Sequence, residues 1–330
     1  MKPAAPEPRT MKLEMIRELV DGRWPATPLA STAQLARAGI GDRLLTSAVR
    51  SGLILRLFRG AYVRSSYWLG IKPWTRDRVL VHAHHAATGG TSRYSHESSA
   101  RLHECQVWNA GPLIHVTTSY ANSRTSAGKD VRTHRAELTE RDITTLWTAD
   151  GREIRTTSLE RTVLDCARIL PLEQAAVIGD HALRMGASLS EITRRLDERP
   201  EKRGSRRARL LLDALDGRSE SAGETRTRLL LDSLGLRGFI PQFEIPTASG
   251  LFRADFADPE SRLIIEFDGA GKYSDYRPTA DVLLAERHRE NAIIEEGWLV
   301  LRLVWKHLDQ PADLKRRVLA LAERARRIPA

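Results

Sequence analysis

Arg253-Ala254-Asp255-Phe256-Ala257, a polar turn, and then Leu263-Ile264-Ile265-Glu266-Phe267-Asp268-Gly269 make up the stretch on which the reading of this 330-residue chain depends. Each run has the β-branched and aromatic content of a short strand, and Asp258-Pro259-Glu260-Ser261 supplies turn residues between them. Side chains alternate along a strand, so Glu266 and Asp268 share a face. A turn spanning Pro259 to Arg262 sets Asp255 opposite Glu266, and Phe256 opposite Ile265 on the other face. Three carboxylates then gather on an otherwise apolar hairpin. Like charges at that spacing repel, so the arrangement calls for a cation between them, a divalent metal first.

Working outward, Ser221 and Glu224 open an apolar helix over 221–234 that carries Leu229, Leu230, Leu231 and Leu234. The pair reads as a capping box, or as the source of a fourth acid for the patch, and both can hold. Residues 239–245 predict a first strand, and Gly269 to Tyr273 a loop carrying Lys272. A charged helix follows over 281–296 with Arg287 and Arg289, then a buried strand over 298–305 and a closing helix over 312–327. This order gives a mixed sheet with helices against it, an α/β/α arrangement.

Glu224, Gln242, Asp255, Glu266-Phe267-Asp268-Gly269, Lys272, Arg289 and Gly297-Trp298 with Val300-Leu301-Arg302 carry a resemblance. This last third resembles the restriction-endonuclease-like superfamily with its PD-(D/E)XK motif. More closely it is similar to domains related to the very-short-patch-repair endonuclease. The expected chemistry is metal-dependent hydrolysis of DNA phosphodiesters. Asp255 and Glu266 would hold Mg²⁺ or Mn²⁺, with Glu224 and Asp268 completing the acidic site. The metal would polarise the phosphate and lower the pKa of a bound water. Lys272 and Arg289 would stabilise the developing charge, and Gln242 would orient the water or contact the DNA backbone. The sequence departs from the superfamily at one place: Asp268 stands where the motif has Lys, leaving Lys272 or Arg289 to supply the cation.

Near the other end, Ser31 or Thr32 caps a short helix that Gly39 ends. A second helix follows, with Leu44, Leu45, Ala48 and Val49 inward and Arg43, Ser47 and Arg50 outward. A basic hairpin over 53–63 comes next. Two helices joined through a Gly and followed by a basic hairpin predict a winged helix-turn-helix. Arg43, Ser47 and Arg50 would enter the major groove, while Arg56 and Arg59 would meet phosphate. The pattern Gln34-Leu35-Ala36…Gly39, then Gly52-Leu53…Arg56…Arg59-Gly60-Ala61-Tyr62-Val63, resembles the AbiEi-type antitoxins of abortive-infection systems. The likeness continues in residues 95–103 and 156–165, and it implies a DNA-binding regulator of toxin–antitoxin ancestry.

Composition agrees with a polyanionic partner. The net charge is +10 and the pI is near 10.0, which favours nucleic acid first. Only eight of the 52 basic residues are lysine, so the basic surface is built from arginine, suited to bidentate phosphate contacts. Cys105 and Cys166 are far apart and in no CxxC arrangement, as in a reducing cytoplasm. No apolar run suits a signal peptide or a membrane span. His82, His84, His85, His96 and His103 show no metal-ligand spacing and read as packing and surface residues. Ser95-His96-Glu97 is not a hydrolase triad, whose members converge from separate segments.

The sequence thus predicts an α+β multidomain chain: a winged helix-turn-helix over 11–70, an AbiEi-like α/β middle region over 71–200, a helical linker over 201–217, and a restriction-endonuclease-like α/β/α domain with a mixed sheet over 218–330. The expected function is that of a cytoplasmic DNA-binding protein with a metal-dependent endonuclease domain. The alternative is an AbiEi-like transcriptional regulator or antitoxin whose nuclease-fold domain is catalytically silent. Partners are double-stranded DNA and a cognate toxin or other protein, without a membrane. Target sequence and oligomeric state are left open.

Overall fold

The structure, a computed structural model, describes residues 8–120, 130–148, 151–198, 203–248, 250–269, 288–289 and 291–325. The chain is a mixed α+β protein that divides into two compact units, Met1–Asp165 and Cys166–Ala330.

The first unit begins with α1 (Pro8–Arg23), β1 (Leu29–Ser31), α2 (Thr32–Arg37), α3 (Asp42–Arg50), β2 (Ile54–Phe58) and β3 (Ala61–Arg64). Ser31 is the cap of α2: its hydroxyl accepts from the Gln34 amide at 3.2 Å, and the Gln34 side chain accepts from the Ser31 amide at 2.8 Å. Gly39 sits at φ +81°, a left-handed turn suited to glycine, before α3 starts. β3 pairs antiparallel with both β1 and β2, so the hairpin gains a third strand that local periodicity does not announce. Val20, Leu35, Ile40, Leu45, Ala48 and Ile54 form the core beneath.

The rest of this unit comprises α4 (Ser65–Gly70), α5 (Pro73–Ala87), α6 (His96–Leu102), β4 (Ile114–Thr118), β5 (Val131–Arg135), β6 (Ile143–Trp147), β7 (Glu153–Thr157) and the first part of α7 (Leu159–Ile169), the helix in which the division between the units falls. β4 and β5 pair in parallel, and β6 and β7 antiparallel. Tyr94, fully buried, bridges to Val116 of one pair and Thr156 of the other. The residues around 95–103 and 156–165 meet here through hydroxyls. Ser99 Oγ lies 2.7 Å from Thr162 Oγ1 and accepts from Thr156 Oγ1 at 2.7 Å, while Arg161 Nε donates to Asp165 at 2.8 Å. Such buried groups are stable only when each finds a partner.

The second unit contains α8 (Leu172–Arg184), α9 (Leu189–Glu198), α10 (Ser205–Ala214), α11 (Ala222–Ser233), β8 (Ile240–Thr247), β9 (Gly250–Asp258), β10 (Leu263–Phe267), β11 (Leu299–Leu303), α12 (Trp305–Leu308) and α13 (Pro311–Ala325). The sheet order is β11-β10-β9-β8, with β10 and β11 parallel and the other pairs antiparallel, a mixed sheet. Phe256, Leu263, Ile265, Leu301 and Leu303 join Leu231, Leu314 and Val318 on one face. Ile245, Phe252, Ala254, Ala257 and Ile264 join Ile293 and Trp298 on the other. Half of the helix expected over 281–296 falls outside the described residues, which include helical residues at 288–289 and 291–295.

The segment read as a linker over 201–217 carries α10, which buries Ala208, Leu211 and Leu212. It lies in the second unit together with α8 and α11. Asp180 of α8 is the tie: its carboxylate accepts from Arg228 Nη2 at 2.8 Å, Thr225 Oγ1 at 2.9 Å and the Asp216 amide at 2.8 Å. Asp180 is 1 % exposed. Removing one partner of a buried ion pair strands the other charge and costs about 3–5 kcal/mol. Asp180→Ala is therefore expected to destabilise the second unit by about that amount in urea unfolding, and a loss below about 1 kcal/mol would show that the pair is dispensable.

Candidate functional site

The acidic residues converge where the β9–β10 ladder ends. The backbone register runs Leu263 to Asp258, Ile264 to Ala257 and Ile265 to Phe256. One step further the side chains take over: the Asp255 carboxylate accepts from the Phe267 amide at 2.8 Å, and the Glu266 carboxylate accepts from the Asp255 amide at 3.1 Å. Each acid thus sits against the other's strand. Burial, then the Asp255 charge, pushes Glu266 up to about 7. Burial also raises Asp255 and Glu224 above the usual carboxylate range. Arg289 and Arg302 work against the rise at Glu266.

Glu224 reaches the cluster from the first turn of α11. Ser221 caps that helix, accepting from the Glu224 amide at 3.1 Å. The Glu224 carboxylate bypasses the capping box and accepts from the Glu220 amide at 2.8 Å and from Gln242 Nε2 at 2.9 Å. Gly223 makes this depth attainable, because a Cβ there would lie 1.9 Å from the Phe267 ring. Gln242, inside β8, has φ 55°, a left-handed backbone that strains a non-glycine residue by about 1–3 kcal/mol. Strain of this kind concentrates at functional positions. Glu220 is a member that the sequence reading passed over: its charge adds to the rise at Asp255, and its carboxylate accepts from Arg253 at 2.9 Å. Its place four residues before Glu224 is the signal that could have found it.

Asp255, Glu266, Glu224 and Gln242 are therefore brought together. Asp268 is exposed, and its amide donates to the Leu303 carbonyl at 2.7 Å. Arg289 stacks over the Phe252 ring at 4.5 Å. Lys272 lies outside the described residues.

In the first unit, Arg43, Arg50, Arg56 and Arg59 are exposed and Ser47 is half-buried. Arg43, Ser47 and Arg50 follow the i, i+4, i+7 spacing of one face of α3. Arg56 and Arg59 line a cleft of about 620 Å³ with Thr32, Tyr62, His84 and Asp130. Among the described residues none of these four arginines has an ion-pair partner, whereas Arg64 pairs with Asp21 and Arg101 with Asp77. His84 shares a hydrogen bond with the Tyr94 hydroxyl at 2.9 Å, and His103 lies 2.7 Å from the Thr157 carbonyl.

Glu266 gives the acidic cluster a measurable pH signature. The folded unit holds its proton up to about pH 7, against the usual 4.5. The unfolded chain releases it earlier, so rising pH between these values erodes stability. At about 1.36 kcal/mol per pH unit the full loss is on the order of 3 kcal/mol. Glu266→Gln keeps an oxygen for the Asp255 amide and removes the ionisation. It is expected to match the parent near pH 4 and to exceed it by up to that amount near pH 8 in urea unfolding. A difference that does not change with pH would mean that Glu266 ionises freely in the fold.

Residues 27–65 match the family described as a transcriptional regulator, AbiEi antitoxin. No curated protein matches the chain. Among the described residues no helix is long and apolar enough to cross a membrane. The family match covers β1 to β3, the segment that carries Arg43, Arg50, Arg56 and Arg59.

Proposed function

We propose that this chain is a DNA-binding transcriptional regulator of the antitoxin kind, which reads duplex DNA through residues 27–65 as a winged helix-turn-helix. The observation that carries the reading is the coincidence of the family match with a helix–turn–helix–hairpin whose four arginines have no ion-pair partner among the described residues. α3 is the recognition helix, with Arg43, Ser47 and Arg50 towards base edges. Arg56 and Arg59 on the β2–β3 hairpin hold phosphate. A cognate toxin is the protein partner such a regulator implies. Arg50→Glu with Arg59→Glu in the full chain should weaken duplex binding at every salt concentration. Each phosphate contact removed should lower the slope of log affinity against log salt by about 0.9. Unchanged affinity and slope in fluorescence anisotropy would overturn the assignment.

The acidic cluster supports a second reading, in which residues 218–330 form a restriction-endonuclease-like domain that cleaves DNA. Asp255 and Glu266 would hold Mg²⁺ or Mn²⁺, with Glu224 and Asp268 completing the site, Gln242 orienting water, and Lys272 and Arg289 balancing charge. The clustered carboxylates, all raised by burial first and then by neighbouring acids, favour it. Supercoiled plasmid should be nicked or linearised with Mn²⁺ or Mg²⁺ by the parent and not by Asp255→Ala. Intact plasmid with both proteins leaves a catalytically silent domain and the regulator alone.

A further inference from the structure

We propose that His96, His115, His134 and Glu97 form a binding site for one divalent transition-metal ion, zinc by preference, buried in the first unit. This site is separate from the arginines and from the acidic cluster.

The strands build it. β4 and β5 are parallel with His115 opposite Arg132 and Thr117 opposite His134. His115 and His134 therefore stand on one face, one diagonal step apart. His96, the first residue of α6, faces them: its ring stacks on His134 with centroids 3.6 Å apart and lies 5.6 Å from that of His115. One ligand nitrogen from each of the three lies within 4.8 Å of the others. A tetrahedral zinc site with bonds of about 2.0–2.1 Å needs its nitrogens about 3.4 Å apart. Two already meet that spacing, since His134 Nε2 lies 3.1 Å from His115 Nδ1. Modest ring rotation brings in the third.

Three further observations point to a ligand. Glu97 is 7 % exposed, and its Oε2 lies 3.1 Å from His115 Nδ1 without a hydrogen-bond partner. A buried carboxylate oxygen left so is costly, and a cation satisfies it. His96 has φ 51°, a left-handed backbone at a bulky residue, which turns its ring inward. Its Nδ1 lies 2.9 Å from Ser95 Oγ, and that oxygen accepts from Thr117 Oγ1 at 2.8 Å. This outer hydrogen bond fixes the ring and leaves Nε2 for the metal.

The surrounding charges permit it. Burial first, then neighbouring charges, holds His115 at about 3 and His134 at about 4, with His96 also well below the usual value. All three are neutral near pH 7 and have a lone pair to give. Arg101 is bound to Asp77 and the Gly111 carbonyl, Arg161 to Asp165, and Arg132 is exposed. Glu97, which burial raises above its ordinary value, would give negative charge at the centre once an ion displaces its proton. Three imidazoles and a carboxylate make a closed four-ligand set, the pattern of a structural ion.

The test uses the full chain, stripped with chelator and titrated with Zn²⁺ by calorimetry, with Co²⁺ as a spectroscopic substitute. We expect one saturable equivalent, the visible absorption of four-coordinate Co²⁺, and a melting temperature higher by roughly 5–10 °C at a hundredfold excess over Kd. His134→Gln and Glu97→Gln should each fold as the stripped parent does and bind at least about ten-fold more weakly. No saturable binding by the parent would overturn the proposal. So would binding that survives in His134→Gln, which would place the ion elsewhere.

Discussion

The second unit depends on the missing side chain at Gly223. Without a Cβ, the first turn of α11 rests on the Phe267 ring, and any larger residue would require helix and strand to part. Two consequences follow from that contact. Glu224, the next residue, reaches the side chain of Gln242 on β8. On the same helix, Thr225 and Arg228 meet Asp180 of α8. The same helix therefore closes the acidic cluster and anchors the helical layer, so the two are mechanically linked. A change that lifts α11 from β10 loosens both.

The first unit solves its polar problem differently. Its interior holds many hydroxyls and histidines, organised by Tyr94 and by the network through Ser99, Thr156 and Thr162. Polar atoms at such depth contribute little net stability, but they specify one arrangement because any other leaves them unpaired. This accounts for the segments around 95–103 and 156–165, which read in sequence as turn and core residues. Their side chains close on one another across more than fifty residues.

Local pattern carried much of this. A cap at Ser31 or Thr32, the apolar stripe of α3, the Asp255–Glu266 juxtaposition and the mixed sheet were all legible, because each rests on periodicity or on turn chemistry a few residues long. Glu220 was hidden by its role as a surface partner of Arg253, and the buried face of α10, a segment read as a helical linker, by a charge density that masked Ala208, Leu211 and Leu212. The histidines were harder still. His96 stood among neighbours that are ordinary packing residues, whereas His115 and His134 come together only through the parallel pairing of β4 with β5. Parallel register leaves no turn signature, so no spacing along the chain announces it.

The acidic cluster bears on how a basic, arginine-rich protein can gather carboxylates in one place. Counted by residue, Glu224, Asp255 and Glu266 add three negative charges, enough to repel a phosphate backbone. Their environment cancels part of that. Burial raises all three, and Glu266 near pH 7 is about half protonated. The Phe267, Asp255 and Glu220 amides spread what charge remains over the backbone. The cluster thus exchanges protons at neutral pH, and a divalent cation would compete for the same oxygens. The charge it presents then depends on whether a proton or a metal occupies it, not on the number of acids. A regulator and a nuclease can share this geometry, and the occupant separates them.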